Sequence, residues 1–194
     1  MKKDRVAAFT DAVLAIIMTI LVLELEKPTT INLLSFWKLR HSFFSYTLSF
    51  FWLGSMWVNI HNEWQGIEKI NSKALWVTLV LLFFCSLIPY ATDLVSRDFH
   101  NKVAQGFYGL FVLGVTFSNI WLSHVIESSN DSVQLSVEVM KKRRTLLWID
   151  IVVKLIGLTI SLTIYPPTMM FSVIIAAVFL MTGIKVLNLD WKEN

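Results

Sequence analysis

An all-α, polytopic membrane protein with six transmembrane helices and both termini in the cytoplasm is expected from three features of the sequence. The chain has 194 residues, 55% of them hydrophobic and only 16% charged, whereas a soluble domain carries about 25% charged residues. Its apolar residues come in long blocks of about 20, the length that crosses the hydrocarbon core of a bilayer, and the mean hydropathy is +0.61. Fourteen phenylalanines and eight tryptophans fit the same picture, because aromatic side chains gather at membrane interfaces.

The first span is read over 5–25 and stops at Glu26, Lys27 and Pro28. The second covers 39–64, with few charges and many aromatics. The third covers 74–94 and contains Pro89 near its end. The fourth covers 100–126. The fifth covers 146–165, and Pro166-Pro167 breaks the chain before the sixth, 168–187. Residues 1–194 form a single six-helix transmembrane domain, with no soluble domain large enough to fold alone and no clear internal repeat. The start Met-Lys-Lys-Asp-Arg resembles a signal peptide. The apolar run behind it is too long for that, and no small-residue cleavage site follows, so the helix is expected to be retained.

Lysine and arginine placement sets the orientation. With the N-terminus inside, the cytoplasmic segments hold Lys2, Lys3, Arg5, Lys69, Lys73, Lys141, Lys142, Arg143, Arg144, Lys185 and Lys192. The outer segments hold only Lys27, Lys38, Arg40, Arg97 and Lys102. The run Lys141-Lys142-Arg143-Arg144 closes a serine-rich connection, 127–145, and abuts an apolar span. It reads as a cytoplasmic flank rather than a nucleic-acid site.

Several chemistries are disfavoured. Cys85 is the single cysteine, so neither an intrachain disulfide nor a cysteine metal site can form. There is no Gly-rich phosphate loop, HExxH or GxSxG, and no enzyme activity or cofactor is expected. His100 and His124 lack the grouped ligands that a metal site needs. No TVGYG-like segment offers a carbonyl filter, and Gly106, Gly109 and Gly114 look like helix-packing positions. Ser42, Ser45, Ser49, Ser55, Asn59 and Asn62 give the second helix a polar side suited to close packing. Asp150 and Lys154 are spaced for an intrahelical ion pair.

The first helix concentrates the costly residues, because charges inside an apolar span need partners, a wet cavity or a task. At 100° per residue, Arg5, Phe9, Ala12, Ile16, Thr19, Ile20 and Leu23 share one face. Periodicity alone allows that face to pack on helices or lipid or to line a pore. Asp11 falls well away from the stripe. His61, closing the second helix at the same cytoplasmic depth, is its expected partner, with Arg5 nearby.

The stretch Arg5-x-x-x-Phe9-Thr10-Asp11, continued through Ile16, Thr19, Ile20 and Leu23, resembles the RxxxFSD first-helix motif of the transmembrane protein 175 family of potassium-permeable channels. Trp57-x-x-x-His61 and Leu87-Ile88-Pro89-Tyr90 extend the match. Thr10 stands where the family usually has serine, and Thr78 occupies what looks like a family asparagine position. The resemblance implies a prokaryotic homotetramer in the cell membrane, since one six-helix repeat is present. It implies a pore lined by first helices, with Ile16, Ile20 and Leu23 as constricting residues and Thr19 as a hydroxyl layer that potassium ions meet transiently. Arg5, Phe9, Thr10, Asp11, Trp57 and His61 are then the motif and structural network. The expected activity is a modestly potassium-selective leak with a hydrophobic gate. The rival classes are a proton-coupled transporter, relayed through Asp11, His61, Asp150 and Lys154, and a non-conducting scaffold.

Overall fold

The computed structural model describes residues 3–65, 70–128 and 137–186. Eight helices occupy them: α1 Lys3–Leu23, α2 Leu33–Lys38, α3 Arg40–Gln65, α4 Ser72–Ser86, α5 Ile88–Arg97, α6 Lys102–Glu127, α7 Val137–Thr163 and α8 Thr168–Val186. The fold is all-helical among the described residues. Among the described residues, four stretches are long and apolar enough to cross a membrane: Lys3–Leu23, Ser72–Arg97, Lys102–Glu127 and Thr145–Thr163. Thr168–Gly183 is a shorter apolar helix.

Asparagines start three of the helices by accepting backbone N–H groups that the first turn leaves without partners. Asn32 accepts from Ser35 at 2.8 Å, and Asn71 accepts from Ala74 at 2.8 Å. Asn101 accepts from Val103 at 2.9 Å and Ala104 at 3.2 Å. Pro166 and Pro167 separate α7 from α8, and Ser161 donates its hydroxyl to the Pro166 carbonyl at 2.6 Å.

Three boundaries differ from the sequence expectation. The third span is two helices, because Pro89 lacks the N–H that would bond the carbonyl four residues back. The chain turns at Leu87, whose N–H reaches the Phe84 carbonyl at 3.2 Å, and helical bonding resumes from Ala91 to the Leu87 carbonyl. The short α2 lies in a connection that the sequence reading left without structure. Finally, α7 begins at Val137 rather than Leu146, since 137–145 holds no glycine or proline and is rich in straight-chain residues that favour helix. The basic run 141–144 is therefore helical in its backbone. Residues 129–136 of that connection lie outside the described residues, as do Lys2, Lys69 and Lys192.

The core gathers the inner faces of α1, α3, α4, α5, α6 and α8. Leu53, Leu81, Ile88, Val112, Leu122 and Val173 are fully buried there. The serine side of α3 packs as expected. Ser42, Ser45 and Ser49 are buried, and the Ser49 hydroxyl meets Thr92 of α5 at 2.8 Å and Tyr108 of α6 at 3.1 Å. That trio satisfies three hydroxyls in a setting where an unpaired one would be costly.

Glycines let helices approach. A Cβ at Gly114 would run into the Phe84 ring, and one at Gly157 into the Ser172 side chain. Since α7 and α8 form the most extensive helix pair, Gly157→Ala is expected to cost about 1–3 kcal/mol through overpacking. A melting temperature in detergent equal to that of the parent would refute it.

Candidate ion pathway

The first helix has two distinct sides. Val6, Thr10, Leu14, Ile17 and Leu21, spaced three and four apart, are buried against α3, α4 and α5. The opposite face holds Phe9, Ile16, Thr19, Ile20 and Leu23, all exposed on the single chain, with Ile16 at 59% and Leu23 at 78%. Large aliphatic side chains bared to this degree suit lipid, another subunit or a narrow apolar passage.

Thr19 is the polar member of that row. Its hydroxyl donates to the Ile16 carbonyl at 2.7 Å. The proton is thereby committed to the helix and the oxygen lone pairs remain as acceptors. Thr10, on the buried side, donates to the Val6 carbonyl at 2.9 Å. A hydroxyl that bonds its own helix needs no partner elsewhere, and serine or threonine can supply it equally.

Asp11 finds a different partner from the one expected. The Trp57 indole N–H donates to its Oδ1 at 2.8 Å, and the His61 ring lies against Trp57 with centroids 5.5 Å apart. The histidine joins the network by way of the indole, one helical turn along α3. The α1–α3 tie is as anticipated, and the residue that makes it is the tryptophan. Arg5 is exposed and makes no ion pair among the described residues.

Phe9 turns toward α4, where it lines an apolar cleft of about 350 Å³ with Val6, Leu75, Trp76, Thr78 and Leu79. Thr78 is buried and donates to the Ala74 carbonyl at 2.8 Å. Tyr90, in the third matching segment, is exposed.

A second polar centre lies between α6 and α7. Lys154 Nζ donates to Asp150 at 2.7 Å and to the Thr116 hydroxyl at 2.9 Å, and stands 5.4 Å from the centre of the Trp52 ring. All four residues are buried. The i,i+4 spacing revealed the pair, but Trp52 and Thr116 carried no sequence signal beyond being polar or amphipathic within apolar spans. At the other end of α3, His41 and His100 come together with ring centroids 5.9 Å apart. No group of three or more metal-ligating side chains occurs among the described residues.

The described residues thus form a multi-helix bundle with membrane-spanning apolar helices, whose first helix leaves one apolar face, interrupted by one hydroxyl, uncovered by its own chain. The family model described as endosomal/lysosomal potassium channel TMEM175 matches residues 5–89, the stretch containing α1 through the start of α5. A potassium channel of Chryseobacterium sp. is 32% identical over 197 aligned residues, covering the full length of both chains. One from Streptomyces collinus is 27% identical over 130 residues, covering 62% of this chain and 63% of that protein. The crystal structure of a lysosomal potassium-selective channel TMEM175 homolog from Chamaesiphon minutus shares the fold. Its TM-score is 0.67 at 21% identity, over 93% of this chain and 97% of that one. The chain belongs to the TMEM175 family of potassium channels. That is an ion-channel family and not a class of enzymes.

Proposed function

We propose that this chain forms a passive, modestly potassium-selective channel whose pore is lined by α1. The observation that carries the reading is the exposed row Ile16, Thr19, Ile20 and Leu23 on a helix whose other face is fully engaged with its own subunit. Four copies around an axis, with residues 1–194 as one six-span domain and both termini in the cytoplasm, would set these side chains in successive rings. Apolar rings at Ile16, Ile20 and Leu23 gate by dewetting, a mechanism open to narrow hydrophobic constrictions. A ring of Thr19 oxygens replaces part of the hydration shell of a passing cation. The cell membrane of a prokaryote is the proposed location, with potassium ions, lipid and three further copies of the chain as partners.

Reconstituted liposomes test this directly. Potassium flux should exceed sodium flux and should stop when the potassium gradient is gone. Transport driven uphill by a pH gradient would establish the proton-coupled carrier instead, and absence of flux from folded protein would establish the scaffold.

The Asp11–Trp57 bond ties α1 to α3, which supports leaving the face with Ile16 for the axis. Asp11→Ala is expected to impair assembly more than ion preference, with a shift from tetramer to smaller species on size-exclusion chromatography. An intact tetramer with changed potassium-to-sodium ratio would place Asp11 in the conduction path instead.

A further inference from the structure

We propose that the small polar cavity between α3, α6, α7 and α8 holds one or two internal water molecules, which bridge the side-chain carbonyl of Asn119 to the carboxylate of Asp150. The inference is independent of where ions pass.

The cavity is lined by Ser55 and Asn59 from α3, Thr116 and Asn119 from α6, and Asp150 and Lys154 from α7, and α8 closes it. Asn119 Oδ1 is buried without a hydrogen-bond partner, a state that costs stability if nothing fills it. Asp150 is nearly sealed from the surface, yet among the described residues it accepts one bond, from Lys154 at Oδ2. A carboxylate has about four acceptor sites, so most of its capacity is unused.

The Asn119 oxygen and the unused Asp150 oxygen are both acceptors, and two acceptors cannot satisfy each other. Of the donors nearby, the ammonium and the two hydroxyls are committed. Lys154 gives its protons to Asp150 and Thr116 and faces the Trp52 ring. Thr116 donates to the Val112 carbonyl, and Ser55 donates to the Trp52 carbonyl. A small molecule with two donors would serve both acceptors at once. Water has that chemistry, and the cavity offers about 30 Å³, where each water needs roughly 10–15 Å³ on the same measure. A metal cation is disfavoured there by the adjacent ammonium.

Bridging water would explain how a charged pair persists inside an apolar bundle. Burial penalises both ions unless their remaining hydrogen-bond capacity is met. The pair itself meets part of it and the water meets the rest.

Water-edited solid-state NMR of the full chain in liposomes tests the proposal. Polarisation should pass from water to the Lys154 ammonium and the Asn119 amide several times faster than to the backbone amide of Leu53 in the dry core. Equal rates overturn it. Asn119→Leu removes the orphan acceptor at nearly constant volume, and is expected to slow transfer to Lys154 by roughly threefold as the bridged water is lost. Unchanged transfer overturns the bridge. Asn119→Ser keeps a polar partner and enlarges the cavity, so it should transfer at least as fast as the parent, and slower transfer would again count against the proposal.

Discussion

Lys154→Met alone is expected to destabilise the protein by about 3–5 kcal/mol, the cost of leaving one member of a buried ion pair without its partner. The substitution keeps much of the side-chain volume and removes the charge. Asp150 then has no cation, the Thr116 hydroxyl no longer receives a donor, and Trp52 loses the ammonium near its ring. The second half of the expectation separates charge from packing. Lys154→Met combined with Asp150→Leu should recover nearly all of that loss, because replacing a whole buried pair by apolar groups is often neutral or stabilising. Equilibrium unfolding in detergent micelles reads both. A double variant as unstable as the single one would show that the pair is held for its shape and not for mutual neutralisation.

This pair also shows how far a sequence can be read. Four residues apart within an apolar span, Asp150 and Lys154 announce each other, since only one helical geometry brings them together. Nothing local points to Thr116 or Trp52, which reach the lysine across two other helices. The same division holds elsewhere. Helices were legible because long apolar runs without breakers favour them, and the helix ends of α3, α6 and α8 lie within two residues of those runs, although α3 and α8 are not among the four stretches long and apolar enough to cross a membrane. The six-residue α2 was not legible, as two turns of helix are too short for periodicity to register. The break at Leu87 was foreshadowed by Pro89, but the residue at which the chain turns depends on how Leu87 and Ala91 share carbonyls around it.

At Asp11 the face was legible and the partner was not. Reading by charge favoured His61, whereas the structure uses the indole of Trp57, a neutral donor one turn earlier on the same side of α3. Weighing donors by their reach and direction rather than by their charge would have named the tryptophan. The pairing of His41 with His100 escaped for another reason. It joins the start of α3 to the turn after α5, and no spacing rule links positions so far apart in the chain.

Ile16→Asn is expected to raise potassium flux by tenfold or more. A dewetted constriction resists ions because water will not fill an apolar ring, and a polar ring wets it. The substitution enters once per subunit, so in the proposed tetramer it changes the whole ring at once, and a fall of only about 1.4 kcal/mol in the barrier is a tenfold rise in rate. The neighbouring position supplies the control. Ile17 is 3% exposed and belongs to the packed face of α1, so Ile17→Asn buries an amide without partners and should lower stability rather than open a path. Thr19→Val completes the comparison. It removes the oxygen whose proton is tied to the Ile16 carbonyl while preserving shape, and should narrow the preference for potassium over sodium with little increase in total flux. Liposome flux with both cations, run alongside unfolding curves, distinguishes the three. If Ile16→Asn left flux unchanged in well-folded protein, the exposed face of α1 would be a contact for lipid or a neighbouring helix, and the pathway would have to be sought elsewhere.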